Sequence, residues 1–117
     1  MDIGRMNQRI TFLDVVEREN ELSQSVIELE EKKTVWASLE PTRGREYQEA
    51  QRLRPELTYK IYTRYFDFIT QDMIIKHNNR YYEIQSMADV KSRHEMLEIY
   101  ATEFTKQKYK ELNINGN

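Results

Sequence analysis

The chain has no cysteine, and among its 117 residues there are only two prolines, three glycines and two histidines. The absence of cysteine excludes disulfides, thiolate nucleophiles and cysteine-ligated zinc together. It fits a protein made in a reducing compartment. Scarce glycine and proline exclude collagen-like and linker-like character. The glycines are also too widely separated to form a phosphate-cradling loop. His77 and His94 show neither metal-ligand spacing nor a nearby serine elbow, so both read as surface residues and no cofactor is expected. No apolar run approaches the roughly 18 residues that a membrane helix needs. The start, Met1-Asp2-Ile3-Gly4-Arg5, lacks the apolar stretch of a signal peptide. The expectation is a soluble protein without membrane contact, made in the cytoplasm.

Charge of one dominant sign is also missing. Lys and Arg total 18 against 20 Asp and Glu, a net charge of −2. Dedicated nucleic-acid binders usually carry a clear basic excess to neutralise phosphates. Splitting the chain between Leu57 and Thr58 leaves nine basic residues in each half, with twelve acids in the first and eight in the second. Carboxylates occur in runs such as Glu28-Leu29-Glu30-Glu31, which suit a solvated edge. Acid catalysis would need two carboxylates in different environments, and nothing in the spacing points to such a pair.

What is present is one hydrophilic domain, 38% apolar and 32% charged, with alternating segments. Gln8 to Val15 places Ile10 and Phe12 on one face, then Leu13 and Val15 shifted by one, which predicts a strand with a register change near its end. Glu17 to Ser25 reads as an exposed turn or loose hairpin, with Val26 to Glu30 pairing weakly beside it. In Thr34 to Glu40, Val35, Ala37 and Leu39 face one way until Pro41 stops the pairing. Thr58 to Tyr65 alternates again, and Met73 to His77, Asn78-Asn79 and Arg80 to Met87 read as a hairpin. Glu95 to Glu103 closes the series.

The period breaks between Arg43 and Arg54. Tyr47, Ala50 and Leu53 are spaced as one helical face, and Pro55 blocks continuation. The fold class is therefore mainly all-β: a small antiparallel barrel or sandwich of about five to six strands, with a long loop carrying a short helix. Residues 1–104 form the domain, and 105–117 a polar, Lys- and Asn-rich C-terminal tail that is expected to fray. Tyr59, Tyr62, Tyr65, Tyr81, Tyr82 and Tyr100 lie in predicted strands. They suit half-buried strand positions and protein interfaces, or alternatively a stacking platform for single-stranded nucleic acid.

Several blocks together resemble a known family. They are Ile3-Gly4-Arg5-Met6-Asn7-Gln8-Arg9-Ile10-Thr11, then Val35-Trp36-Ala37-Ser38-Leu39-Glu40-Pro41-Thr42-Arg43-Gly44-Arg45-Glu46 with Ala50 and Gln51. Tyr62-Thr63-Arg64-Tyr65, Ile69-Thr70-Gln71-Asp72-Met73, Arg80-Tyr81-Tyr82-Glu83-Ile84 and Leu97-Glu98-Ile99-Tyr100 follow. In order and spacing this is similar to the head–tail joining proteins of long-tailed phages and prophages, also called head-closure, stopper or head–tail adaptor proteins. Departures fall at turns and surface: Ile74 stands where the family often has Arg, Asn78-Asn79 where it often has Asn-Gly, and the first loop lacks glycines.

The resemblance implies a non-enzymatic virion protein with a β-barrel fold, assembled from the host cytoplasm into the head–tail connector. It implies self-association into a ring, a hexamer or dodecamer, that closes the DNA-filled capsid and receives the tail. The partners are then a portal-side head adaptor and a tail-completion protein, with non-specific contact to packaged double-stranded DNA. The channel or subunit-interface loop would hold Arg43, Gly44, Arg45, Glu46, Tyr47, Glu49, Gln51, Arg52 and Arg54. A nucleic-acid-binding barrel, or a tail-completion (terminator) protein of the same assembly, is the alternative.

Overall fold

A computed structural model describes residues 6–42 and 58–112. Six strands follow in order: β1 (Gln8–Glu19), β2 (Ser25–Pro41), β3 (Thr58–Arg64), β4 (Ile74–His77), β5 (Arg80–Asp89) and β6 (Met96–Glu103). All pair antiparallel and close into a barrel in the order β1-β2-β3-β6-β5-β4, which decides between barrel and sandwich. Alternation produces the core directly. Ile10, Phe12, Val35, Ala37, Ile61, Ile75, Tyr82, Ile84, Leu97, Ile99 and Ala101 point inward and fill the lumen, as side chains do in narrow barrels. Thr63 is wholly buried, and its hydroxyl donates to the Trp36 carbonyl at 3.2 Å, so the one polar inward residue of β3 is satisfied.

The register change predicted in β1 exists. A bulge lies between Phe12 and Leu13, where Phe12 pairs with Lys33 but Leu13 pairs with Glu31. Phe12 joins the lumen, whereas Leu13 enters a second cluster with Ile74 and Phe104. A second shift, between Ile84 and Ser86 of β5, leaves the Gln85 carbonyl to be taken by the Gln71 side-chain amide at 3.0 Å. Asn78 turns the β4–β5 hairpin at φ 57, a conformation asparagine tolerates.

Two expectations need correction. The exposed hairpin expected at Glu17 to Ser25 is present, but it is ordered rather than loose. β1 and β2 stay in register from Leu13↔Glu31 to Glu19↔Ser25, forming a two-stranded ribbon beyond the barrel. Cross-strand contacts explain its order: Val15 lies opposite Leu29, Arg18 bridges Glu28 and Glu30 at 2.9 Å each, and the Ser25 hydroxyl donates to Glu17 at 2.6 Å. Such exposed ion pairs each contribute only about 0.2–1 kcal/mol, so the ribbon rests on its backbone ladder as much as on its charges.

Of the tail expected to fray, 105–117, only 105–112 lie within the described residues, and there a short helix forms, α1 (Lys106–Glu111), capped by the Thr105 hydroxyl, which accepts from Lys108 N–H at 3.2 Å. Six residues are too few for a stable isolated helix. Tertiary packing holds it. The Tyr109 ring meets those of Phe104 and Tyr81 at 5.5 and 5.9 Å, its hydroxyl accepts from Tyr81 N–H at 3.3 Å, and Leu112 packs on the same cluster.

Two predictions follow from this core. Phe12→Ala empties a lumen position that also contacts Phe68 edge-on, and is expected to cost about 3–5 kcal/mol in urea unfolding; a loss below about 1 kcal/mol would contradict the packing described. Burial, reinforced by Tyr59 and Glu103, pushes the Tyr82 phenol up to about 12. An unfolded tyrosine titrates near 10, so the stabilisation from the neutral phenol is complete below about pH 10 and is lost as pH rises through the folded value. Stability measured across that alkaline window should fall less steeply in Tyr82→Phe than in the parent chain; identical slopes would refute the assignment.

Candidate functional site

The chemistry-bearing residues are dispersed. His77 Nε2 lies 3.0 Å from Gln8 Oε1, and burial, with Arg80 nearby, holds its imidazole below the usual value. His94 sits elsewhere, 3.6 Å from Asp89 and edge-on to the Tyr65 ring. Among the described residues no cluster of three His, Cys, Asp or Glu side chains is placed to hold a metal ion, and no helix is long and apolar enough to cross a membrane.

The tyrosines do not form one platform. Tyr59 and Tyr65 pack on the core and Tyr82 is buried within it, while Tyr81 lies against Phe104 and Tyr109. Among the described tyrosines, only Tyr62 and Tyr100 share the outer wall of β3 and β6, and both rings flank the Lys60 ammonium, at 5.4 and 5.8 Å. Two half-buried rings already engaged with a cation present little face for successive bases.

What the fold does assemble is surface for contact. β2 pairs with β3 only from Ala37 to Pro41, so its edge from Ser25 to Trp36 has no strand neighbour among the described residues. Trp36 is 54% exposed on that edge, with the Arg9 guanidinium stacked 4.8 Å from its ring. A largely apolar groove of about 540 Å³ runs beside it, lined by Met6, Val35, Trp36 and Phe66, with Lys33 and Arg64 at its sides. Glu28, Glu30, Glu31, Lys32 and Lys33 keep this free edge charged, which discourages indiscriminate pairing.

The ribbon ends in an ordered turn. Asn20 Oδ1 accepts from the N–H groups of Leu22 and Gln24, both at 2.9 Å, and Ser23 takes φ 60. This turn holds Leu22 out at 76% exposure, the most exposed large apolar side chain among those described.

Around the barrel, the β5–β6 connection forms a pocket of about 550 Å³ with the end of β3. Arg64, Lys91, Arg93 and His94 line it together with Glu95, Tyr65, Phe66, Val90 and Met96. Lys91, Ser92 and His94 all take positive φ, near 55°, and Asp89 clamps the loop by accepting the His94 N–H on both carboxylate oxygens at 3.0 Å. In the sequence, Lys91 to Glu95 shows only charged and polar residues with no apolar period. Arg64 joins it through the β3–β6 pairing, which no local pattern announces.

The sequence-predicted loop residues, Arg43, Gly44, Arg45, Glu46, Tyr47, Glu49, Gln51, Arg52 and Arg54, lie outside the described residues. Its two anchors are described. Pro41 pairs with Tyr59, and Thr42 N–H donates to the Thr58 carbonyl at 3.0 Å, so the chain leaves and rejoins the barrel at adjacent points.

Comparison with known proteins gives this geometry a context. The solution structure of protein SF1141 from Shigella flexneri 2a superposes with a TM-score of 0.69 at 26% identity, over 91% of this chain and 99% of that one. A chain from the virion of a native gene transfer agent particle superposes with a TM-score of 0.62 at 15% identity, over 86% of this chain and 96% of that one, a likeness of fold. No curated protein sequence matches. The family model of the phage head completion protein matches residues 1–103, all six strands of the barrel and both of its anchoring points for the long connection. The barrel, its charged free edge and its exposed contact surfaces thus belong to a chain that is a member of the phage head completion protein family.

Proposed function

We propose that this chain is a structural, non-enzymatic virion protein that forms a ring at the head–tail connector, closes the DNA-filled capsid and offers the tail its attachment surface. The observation that carries the reading is the family match over residues 1–103. The geometry is compatible with it: a closed barrel supplies a rigid wall, and the free β2 edge with its Trp36 groove supplies surface for a neighbour. The partners on this reading are a portal-side head adaptor above, a tail-completion protein below, and further copies of the chain in a hexamer or dodecamer. Assembly starts from the host cytoplasm.

The segment from Arg43 to Arg54 is the channel or subunit-interface element of this proposal. Its support is chemical. Arg43, Arg45, Arg52 and Arg54 suit non-specific contact with DNA phosphates, while Glu46 and Glu49 limit adhesion to DNA that must later pass. Repetition around a ring turns weak contacts into a firm closure by avidity. Adjacent anchors at Thr42 and Thr58 allow the segment to be shortened without opening the barrel.

Deleting Gly44 to Arg54 should leave β-sheet circular dichroism and the melting transition in place, yet yield heads that lose DNA or fail to join tails. Particles that retain DNA and carry tails normally would refute the role of this segment. A ring that assembles on purified tails rather than on tailless heads would instead assign the chain to tail completion.

A further inference from the structure

The ribbon and the cationic pocket are complementary, and they lie on different parts of the same barrel. From Asp14 to Glu31 the ribbon carries seven carboxylates and one arginine, although the whole chain is only −2. Of these, Glu17, Glu19, Glu21 and Glu31 form no ion pair among the described residues, and Glu19 and Glu21 immediately precede the exposed Leu22 at the tip. The pocket has the opposite character. Arg64, Lys91 and Arg93, exposed cations without an ion-pair partner among the described residues, outnumber the one lining carboxylate, Glu95, around the apolar surface of Tyr65, Val90 and Met96.

Barrel order places β1–β2 and β5–β6 apart, separated by β3 on one side and β4 on the other. The ribbon runs six residues past Leu13, its last pairing with β4, a reach of roughly 20 Å at the rise of an extended strand. None of the ribbon's residues lines the pocket.

We propose that the β1–β2 tip of one copy seats in the β5–β6 pocket of a second copy, Leu22 against the apolar lining and Glu19 and Glu21 against Arg64, Lys91 and Arg93. The contact is heterologous, so each copy gives one tip and receives one, and repetition generates a ring when the rotation closes. This rests on the ring reading above and names its interface. Each exposed ion pair contributes little alone, so the contact is weak in dilute solution and strengthens where copies are held together.

The cysteine-free chain makes the test direct. Full-length Gln24→Cys, beside the tip, and Val90→Cys, in the pocket, are mixed under mild oxidation; a disulfide requires Cα atoms within about 7 Å. The covalent heterodimer should form about tenfold faster than with the control pair Gln24→Cys and Gln107→Cys. Adding Lys91→Glu and Arg93→Glu to the pocket partner should remove the advantage, and then adding Glu19→Lys and Glu21→Lys to the tip partner should restore it. Rates equal to the control, or indifferent to charge reversal, would overturn the interface. If the unmodified chain sediments as a concentrated oligomer while the cross-link fails, the ring reading stands and this contact is wrong. If no condition yields self-association, both fall. If Lys91→Glu with Arg93→Glu weakens binding of a DNA duplex but leaves cross-linking unchanged, the pocket serves DNA and the proposal is likewise overturned.

Discussion

Closure of the barrel depends on a ladder of only three residue pairs between β1 and β4: Thr11 with Lys76, Phe12 with Ile75, and Leu13 with Ile74. Without it, both strands would be open edges and the lumen would lose a wall. The ladder coincides with the bulge that separates Phe12 from Leu13. That bulge lets two consecutive residues both be buried, one inside the barrel and one outside it. The outward residue, Leu13, seeds the cluster on which Phe104, Tyr109 and Leu112 dock. The short helix and the base of the ribbon therefore share one anchor with barrel closure.

Past that anchor the chain changes purpose. Barrel residues alternate apolar and polar to fill a lumen, whereas the ribbon keeps the pairing and gives up the core. A two-stranded ribbon is marginal by itself. Here it extends strands already fixed in the barrel, so it inherits their register and needs only cross-strand contacts to persist. Acidic side chains keep it solvated and discourage edge pairing, while the Asn20 turn presents a single leucine at the tip. The opposite charge gathers around the β5–β6 connection. Near-neutral composition thus conceals an uneven distribution, with seven carboxylates and one arginine on the ribbon and three cations against one carboxylate, Glu95, around the β5–β6 pocket.

The strands that contribute most to the lumen were legible in the sequence. Tyr59, Ile61 and Thr63, then Leu97, Ile99 and Ala101, alternate cleanly because one face is buried and the other wet. The register change at Leu13 was legible for the same reason. The hairpin at Glu17 to Ser25 was legible but its firm pairing was not, because its faces meet no core and acids replace the apolar period. The helix was not, because its stability comes from Tyr81 and Phe104 rather than from its own pattern. The pocket was invisible for a third reason: Arg64 and Arg93 are distant in sequence and meet only through the β3–β6 pairing. Family likeness, carried by the order of blocks, reached further into function than any periodicity, and the family match spans the same residues.

The central claim is that this barrel is a ring component at the junction of head and tail. Cryo-electron microscopy of particles assembled with and without the chain tests it most directly. The account predicts a ring of six-stranded barrels between the portal-side adaptor and the tail, present only when the chain is supplied. Density for the barrel at another site in the particle, or an unchanged connector when the chain is omitted, would contradict it.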